Sequence, residues 1–358
     1  MEEEIDFAAQ TIGDVDPKST RAQELLERIE TDAEVPRKFK RIAARSNKWG
    51  IPRSFVGYRV APTTQIGGYA PKWVLVSEDG GPDYIVKRPT YRGGPMETLT
   101  ELLINRLGEA YGFDMAHSGM VSIDGRPAFI TRSFLKPKEH LIHGSALIED
   151  YYSAPRGELD TVPHGRKEQE FYSLDFVVPT IQEHCGKDGG AIISKFVEML
   201  VFDALIGATD RHAQNWGVIR ESTTQGGYRF SPIFDTSRGL FWNLPDVKIS
   251  ELARNNKLLS YHIDRACPVM GPERQKLRTR RHNHFQFLSS LFAAFPHLRV
   301  TAVTKVPCSV QRATFNILKT FPFRGAFSKV RRDTILKLIL LRSDLVSQVL
   351  EAGEGVKA

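Results

Sequence analysis

The rhythm of apolar and polar positions changes partway along the chain. Early apolar runs are short and strand-like: Trp73-Val74-Leu75-Val76 and Tyr84-Ile85-Val86 flank the turn cluster Glu78-Asp79-Gly80-Gly81-Pro82-Asp83. All of 56–90 reads as strands. The spacing then predicts a helix from about Met96 to Tyr111, with Leu99, Leu102, Leu103 and Leu107 on one side and Gly112 as its stop. Two more strands, Ser118–Ile123 and Ala128–Phe134, are expected around the hairpin turn Asp124-Gly125. Residues 153–170 hold Ser, Pro, Gly and charge with little apolar content, which predicts a loop.

From Ala191 the period becomes helical. Ile192, Ile193, Phe196, Met199, Leu200 and Leu205 recur at helix spacing up to Gly207. Trp216–Arg220 and Tyr228–Phe234 predict an embedded hairpin, and His282-Asn283-His284 a helix start. The rest, to about Leu350, reads as helices joined by basic loops. Near the N-terminus, Asp16-Pro17 has the form of a helix start. Strands with one helix, followed by helices with one hairpin, define an α+β chain with segregated elements. Three regions are expected: a helical, basic extension over 1–55, a strand-rich part over 56–135 and a helix-rich part over 136–358.

Composition narrows the classes. The 358 residues are 41% hydrophobic and 25% charged, an ordinary globular balance. No apolar run reaches membrane-spanning length, and Met-Glu-Glu-Glu is not a signal-peptide start. Cys185, Cys267 and Cys308 have neither disulfide-framework nor metal spacing and read as reduced thiols of a cytoplasmic protein. Delivery into a host cell by a specialised secretion system stays open. The net charge of +7 is unevenly spread. Residues 1–34 carry 11 acids and three bases, 36–53 carry no acid, and 254–281 carry eight bases against two acids. Few aromatics interleave the basic stretches, so a solvated face is favoured over nucleic-acid binding.

One segment stands out chemically. In Leu205-Ile206-Gly207-Ala208-Thr209-Asp210-Arg211-His212-Ala213-Gln214-Asn215-Trp216-Gly217 an apolar helix stops, a polar loop follows and a strand begins. Asp210 and Asn215 stand at the interval that kinase catalytic loops use between base and metal-binding amide. Phe230-Ser231-Pro232-Ile233-Phe234-Asp235 reads as an apolar strand ending in a carboxylate, a second hard oxygen ligand for Mg²⁺. Upstream, Lys87 closes an apolar strand, as a phosphate-binding lysine does, and Glu101 on the next helix is placed to pair with it. Gly67-Gly68 allows backbone to approach phosphate closely. His212 has no companion at metal-ligand spacing and is grouped with the nucleotide-binding residues. Asp-x-x-x-x-Asn alone is a weak signal; the order Gly-Gly, Lys, Glu, hairpin, Asp-x4-Asn, Asp is a specific one.

Phe202 to Gly217, together with Phe230 to Asp235, resembles the catalytic signature of HipA-like serine/threonine kinases. Gly67-Gly68…Pro71-Lys72 is similar to that family's Gly-rich loop, and Thr100-Glu101-Leu102-Leu103…Arg106-Leu107 to its regulatory helix. The resemblance spans roughly 57–350. It implies a bilobal protein-kinase-like fold that transfers the γ-phosphoryl group of ATP, with Mg²⁺, to a Ser or Thr hydroxyl of a protein. It makes Asp210 the general base, Asn215 and Asp235 the metal ligands and Lys87 the phosphate-binding lysine. Backbone groups near Arg132 and Phe134 would hold adenine. The family includes toxins that act on the translation machinery and are restrained by a partner antitoxin. The residues before the Gly-rich loop read as helical and basic, so the extra N-terminal subdomain of those toxins is not expected in them, as in split toxins and effector kinases. Gln65 stands where a regulatory serine is often found, with Thr63 and Thr64 just before it. A lipid or small-molecule kinase and a pseudokinase scaffold are the competing readings.

Overall fold

The structure is a computed structural model that describes residues 51, 55–61, 72–90, 94–123, 126–152, 172–222, 227–273, 281–303 and 310–352. The expected helix at Asp16-Pro17, the loop at 153–170, Gly67-Gly68 and Thr63-Thr64-Gln65 lie outside these. The chain divides into two compact units: residues up to 98 with 117–133, and 99–116 with 134–358.

The first unit is a five-stranded antiparallel sheet in the order β1-β2-β3-β5-β4. Its strands are β1 (Tyr58–Ala61), β2 (Lys72–Ser77), β3 (Tyr84–Lys87), β4 (Ser118–Ile123) and β5 (Arg126–Arg132). Period-2 alternation sends one set of side chains inward: Trp73 and Leu75, Tyr84 and Val86, Ala128 and Ile130 pack with Ile51, Phe55 and Val60. Burying each large side chain contributes about 1.5–3 kcal/mol. The same alternation puts Lys87, the last residue of β3, on the opposite face, across from Lys72 in the β2–β3 register. A helix, α1 (Gly94–Ala110), leaves this unit after Thr98 and continues in the second.

The second unit is mainly helical. After α1 come the strand β6 (Glu139–His143), α2 (Gly144–Tyr152), α3 (Leu174–Cys185) and α4 (Gly189–Ile206). The hairpin β7 (Gly217–Glu221) and β8 (Tyr228–Phe230) joins β6 in a three-stranded antiparallel sheet, β6-β7-β8. Then follow α5 (Asp246–Arg254), α6 (Asn256–Arg265), α7 (His284–Ala294), α8 (Leu298–Val303), α9 (Val310–Lys319), α10 (Phe323–Ala326) and α11 (Lys329–Glu351). Helix α4 is buried nearly all round and packs against α3, α7, α8 and α11. That explains why its apolar residues are not confined to one stripe.

Two sequence expectations change here. The strand expected over Tyr228–Phe234 stops at Phe230, because Pro232 has no N–H to continue a ladder. Ile233 instead makes an isolated parallel bridge to Met115, its N–H donating to Asp114 O at 2.7 Å and its carbonyl accepting from Ala116 N at 3.0 Å. Helix α3 begins well before Ala191 and contains Pro179, a residue whose presence masks a helical pattern. The start read at His282-Asn283-His284 is present as a capping box between Asn283 and Gln286.

Candidate active site

The catalytic-loop candidate begins where α4 ends. Gly207 is in the left-handed region (φ 67°, ψ 44°), and the N–H groups of Gly207 and Ala208 both reach back to Asp203 O. The backbone favours glycine here, and a Cβ on Gly207 would also stand a tight 3.1 Å from the Arg342 guanidinium carbon. The loop then folds on itself. His212 N donates to Asp210 O at 2.9 Å, Asn215 N donates to His212 O at 2.9 Å, and the Asn215 side-chain amide donates to Asp210 O at 2.7 Å. This ties the Asn215 amide to the loop through its Nδ2.

One side chain joins this loop to the segment carrying Asp235. A single guanidinium nitrogen of Arg211 donates to Asn215 O at 2.8 Å and to Phe234 O at 2.7 Å. The other nitrogens of Arg211 hold Asp203 in a two-pronged pair, 2.9 Å on each side. The pair is 3% and 2% exposed. Burial opposes the charge on Arg211, but Asp203 outweighs burial, with smaller help from Tyr172 and Asp235, and holds the guanidinium above its ordinary range. Asp210, Asn215 and Asp235 are thus brought onto one buried scaffold. Asp235 has φ 50°, a strained value that Asp tolerates better than most residues.

Other elements brace the loop. The Tyr172 hydroxyl donates to Arg211 O at 3.1 Å and accepts from the Trp216 indole N–H at 2.8 Å. At the start of α2, Gly144 N and Ser145 N donate to Trp216 O and Ala213 O, each at 3.0 Å. A Cβ on Gly144 would lie 2.3 Å from the Trp216 ring, so this approach also requires glycine. The His284 ring donates from Nε2 to Ala208 O at 2.7 Å. Burial, then the nearby Arg342 charge, push that imidazole down to about 3, so it is neutral at ordinary pH. From α11, Arg342 Nε donates to Ala204 O at 2.6 Å, and Arg331 donates to Phe241 O and Leu244 O while pairing Asp246 at 2.8 Å. Arg331 and Arg342 are eleven residues apart, three helical turns, and so lie on one face of α11.

Asp210 is partly open. Its Oδ1 meets Arg238 at 3.1 Å, in a pair 29% and 23% exposed. His212 is buried, and its Nδ1 accepts from Gln214 N at 3.3 Å. In this unit Phe134 O accepts from Arg229 at 3.2 Å, and the Phe134 ring lies 5.6 Å from that of Phe234. Glu101 is buried on α1. In the first unit Lys87 is buried, and Arg132 N donates to His117 O at 2.8 Å. Lys72 and Lys87 stand opposite each other in the register of the sheet.

The sequence reading missed Asp203, Arg211, Arg238, His284, Arg331 and Arg342 as parts of this arrangement. A signal existed for the first two: a carboxylate inside the apolar run Val201-Phe202-Asp203-Ala204-Leu205 needs a buried cation, and Arg211 is near in sequence. No local signal marks the α11 arginines. Among the described residues, no three His, Cys, Asp or Glu side chains cluster as a metal cage. Among the described residues Cys185 and Cys267 form no disulfide, and no helix is long and apolar enough to cross a membrane.

The matches to known proteins cover this part of the chain. The HipA-like C-terminal domain model matches residues 64–289, and the chain belongs to that family. Its α11, with Arg331 and Arg342, lies beyond the matched span. Among solved structures, the Helicobacter pylori proinflammatory kinase CtkA superposes with a TM-score of 0.64 at 16% identity, over 84% of this chain and 97% of that one. The fold is therefore kinase-like, with a sheet-rich part and a helical part. A curated relative, the serine/threonine-protein kinase CtkA of Helicobacter pylori strain J99, is 37% identical over 68 residues, which is 19% of this chain and 21% of the relative. The chain thus aligns with about a fifth of that relative's length. HipA from Shewanella oneidensis MR-1, solved in a complex with HipB and operator DNA, aligns at a TM-score of 0.49 and 14% identity, over 96% of this chain and 74% of that one.

Proposed function

We propose that the protein is an ATP-dependent serine/threonine protein kinase, with Asp210 as base, Asn215 and Asp235 as metal ligands and Lys87 as the phosphate-binding lysine. The carrying observation is the Arg211 bridge, one nitrogen on both Asn215 O and Phe234 O. It supports the convergence that the chemistry requires of two segments distant in sequence. In this reading residues 56–135 bind nucleotide, 136–358 carry the catalytic groups, and 1–55 form an extension.

The donor set fits Mg²⁺. One carboxylate and one amide oxygen are hard ligands, and a site of this kind completes its shell with phosphate oxygens and water. The Asn215 amide spends its Nδ2 on Asp210 O, and Oδ1 is the atom that would ligate the ion. When bound, the ion offsets charge on the phosphates. Asp210 would orient the acceptor hydroxyl and take its proton as the hydroxyl oxygen bonds to the γ-phosphorus and the bond from that phosphorus to the β-phosphate oxygen breaks, releasing ADP. Lys87 binds the nucleotide phosphates, Glu101 positions it, and Gly67-Gly68 supplies backbone amides to them. His212 and backbone groups near Arg132 and Phe134 belong to the nucleotide pocket. Arg132 N and Phe134 O already have protein partners, so adenine would use the second lone pair of Phe134 O or an adjacent residue.

The acceptor is read as a protein of the translation machinery, and an antitoxin as a restraining partner, by analogy with the family. The test is transfer from γ-labelled ATP into protein lysate and, separately, lipid extract, followed by phosphoproteomics of cells expressing wild type or Asp210→Ala. The expected outcome is labelled protein, lost by about 10²–10⁴-fold in the folded variant. Normal labelling by the variant removes Asp210 from its role, and label in lipid alone replaces the acceptor class.

A further inference from the structure

Arginines cluster around the loop, but their donors are not used alike. Arg211 spends its donors on Asp203, Asn215 O and Phe234 O. Arg331 spends three nitrogens on Asp246, Phe241 O and Leu244 O. Arg238 differs. Its guanidinium makes one hydrogen bond among the described residues, NH1 to Asp210 Oδ1 at 3.1 Å. Its flat face lies 5.6 Å from the centroid of the Trp242 ring. Its backbone is fixed to the residue before Asp210, since Arg238 O accepts from both Thr209 N at 3.0 Å and Thr209 Oγ1 at 3.3 Å. A guanidinium carries five N–H donors in a rigid fork, so most of this one is uncommitted. It is also open to solvent, while the structural arginines are buried.

Resting on the kinase reading, we propose that Arg238 is the cation that meets the γ-phosphoryl group during transfer. An acceptor hydroxyl on Asp210 would sit about 2.7 Å from its carboxylate. The phosphorus would be about 3–3.5 Å further on. A guanidinium held 3.1 Å from the same carboxylate has its spare donors within reach of the phosphoryl oxygens. Arginine suits this better than lysine, because its fork matches two oxygens of one phosphate. The Trp242 ring lies against the guanidinium and the Thr209 hydrogen bonds anchor the Arg238 backbone, and neither uses the guanidinium donors. Arg238 stands three residues after Asp235, so the segment that brings the metal carboxylate brings this cation as well. In a transition state whose charge lies on the equatorial phosphoryl oxygens, a preorganised cation acts where charge is greatest.

The full chain is titrated by calorimetry with Mg-ADP and with Mg-AMP-PNP, for wild type, Arg238→Lys and Arg238→Gln. The proposal expects Mg-AMP-PNP affinity to fall about tenfold in Arg238→Gln and Mg-ADP affinity to stay within twofold, with Arg238→Lys between the two. Equal losses for both nucleotides, or no loss for either, overturn it. Melting curves for each variant exclude unfolding as the cause. Wild type that binds neither nucleotide defeats the kinase reading itself, and this assignment with it. Wild type that binds both, with an indifferent Arg238, leaves the kinase reading standing and removes Arg238 alone.

Discussion

Two aspartate–arginine pairs lie on either side of the same loop, and they differ in almost every physical respect. Asp203–Arg211 is closed to water, bonded through two nitrogens, and continues into the carbonyls of Asn215 and Phe234. Asp210–Arg238 is a quarter open, rests on one hydrogen bond, and retains donor capacity. The buried pair spends every guanidinium nitrogen and fixes backbone. The open pair fixes little and has capacity for a ligand. The same two residue types therefore serve as scaffold in one place and as candidate chemistry in the other, and burial decides which.

The largest expected effect comes from cutting the scaffold pair. Arg211→Met leaves Asp203 as an uncompensated buried charge, and loss of about 3–5 kcal/mol is expected in urea denaturation. A loss below about 1 kcal/mol would make the two pairs equivalent and remove the comparison.

A smaller effect sharpens the same contrast through pH. His284 braces Ala208 O from below as a neutral ring held down to about 3 by burial and by Arg342. The unfolded chain protonates it near 6.5. Its contribution is fully present above about pH 6.5 and is lost as pH falls toward the folded value. The slope is up to about 1.4 kcal/mol per pH unit. Denaturation at pH 7.5, 6.5 and 5.5 should show this decline in wild type and a flatter line in His284→Asn. Parallel lines would mean that the ring takes a proton without cost.

The smallest effect is expected at the open pair. Arg238→Gln should change stability by about 0–1 kcal/mol, the range of exposed ion pairs. A larger loss would show that this pair too is scaffold.

How much of this was legible in the sequence depends on how local each feature is. Strands β2 and β3, the β4–β5 hairpin, helix α1 and the stop at Gly207 follow from period and turn residues that lie side by side. The interval from Asp210 to Asn215 is legible because both groups belong to one short loop. The placement of Asp235 follows from chain order, but its geometry does not: Pro232 ends β8 early, and Ile233 docks on Met115 instead. Asp203 could be suspected from a charge inside an apolar helix. The donors from Tyr172, Gly144, His284, Arg331 and Arg342 reach the loop and its flanks from elements far along the chain. Nothing in the spacing of those residues specifies which carbonyl each will meet.

The claim on which the functional reading rests is that Asn215 and Asp235 share one divalent ion with a nucleotide. Mn²⁺ binding followed by electron paramagnetic resonance in the presence of AMP-PNP tests it most directly, with wild type, Asn215→Ala and Asp235→Asn compared. Tight binding by wild type and weakening of about tenfold or more in each variant is the predicted result. Variants that bind the ion as wild type does would contradict the account.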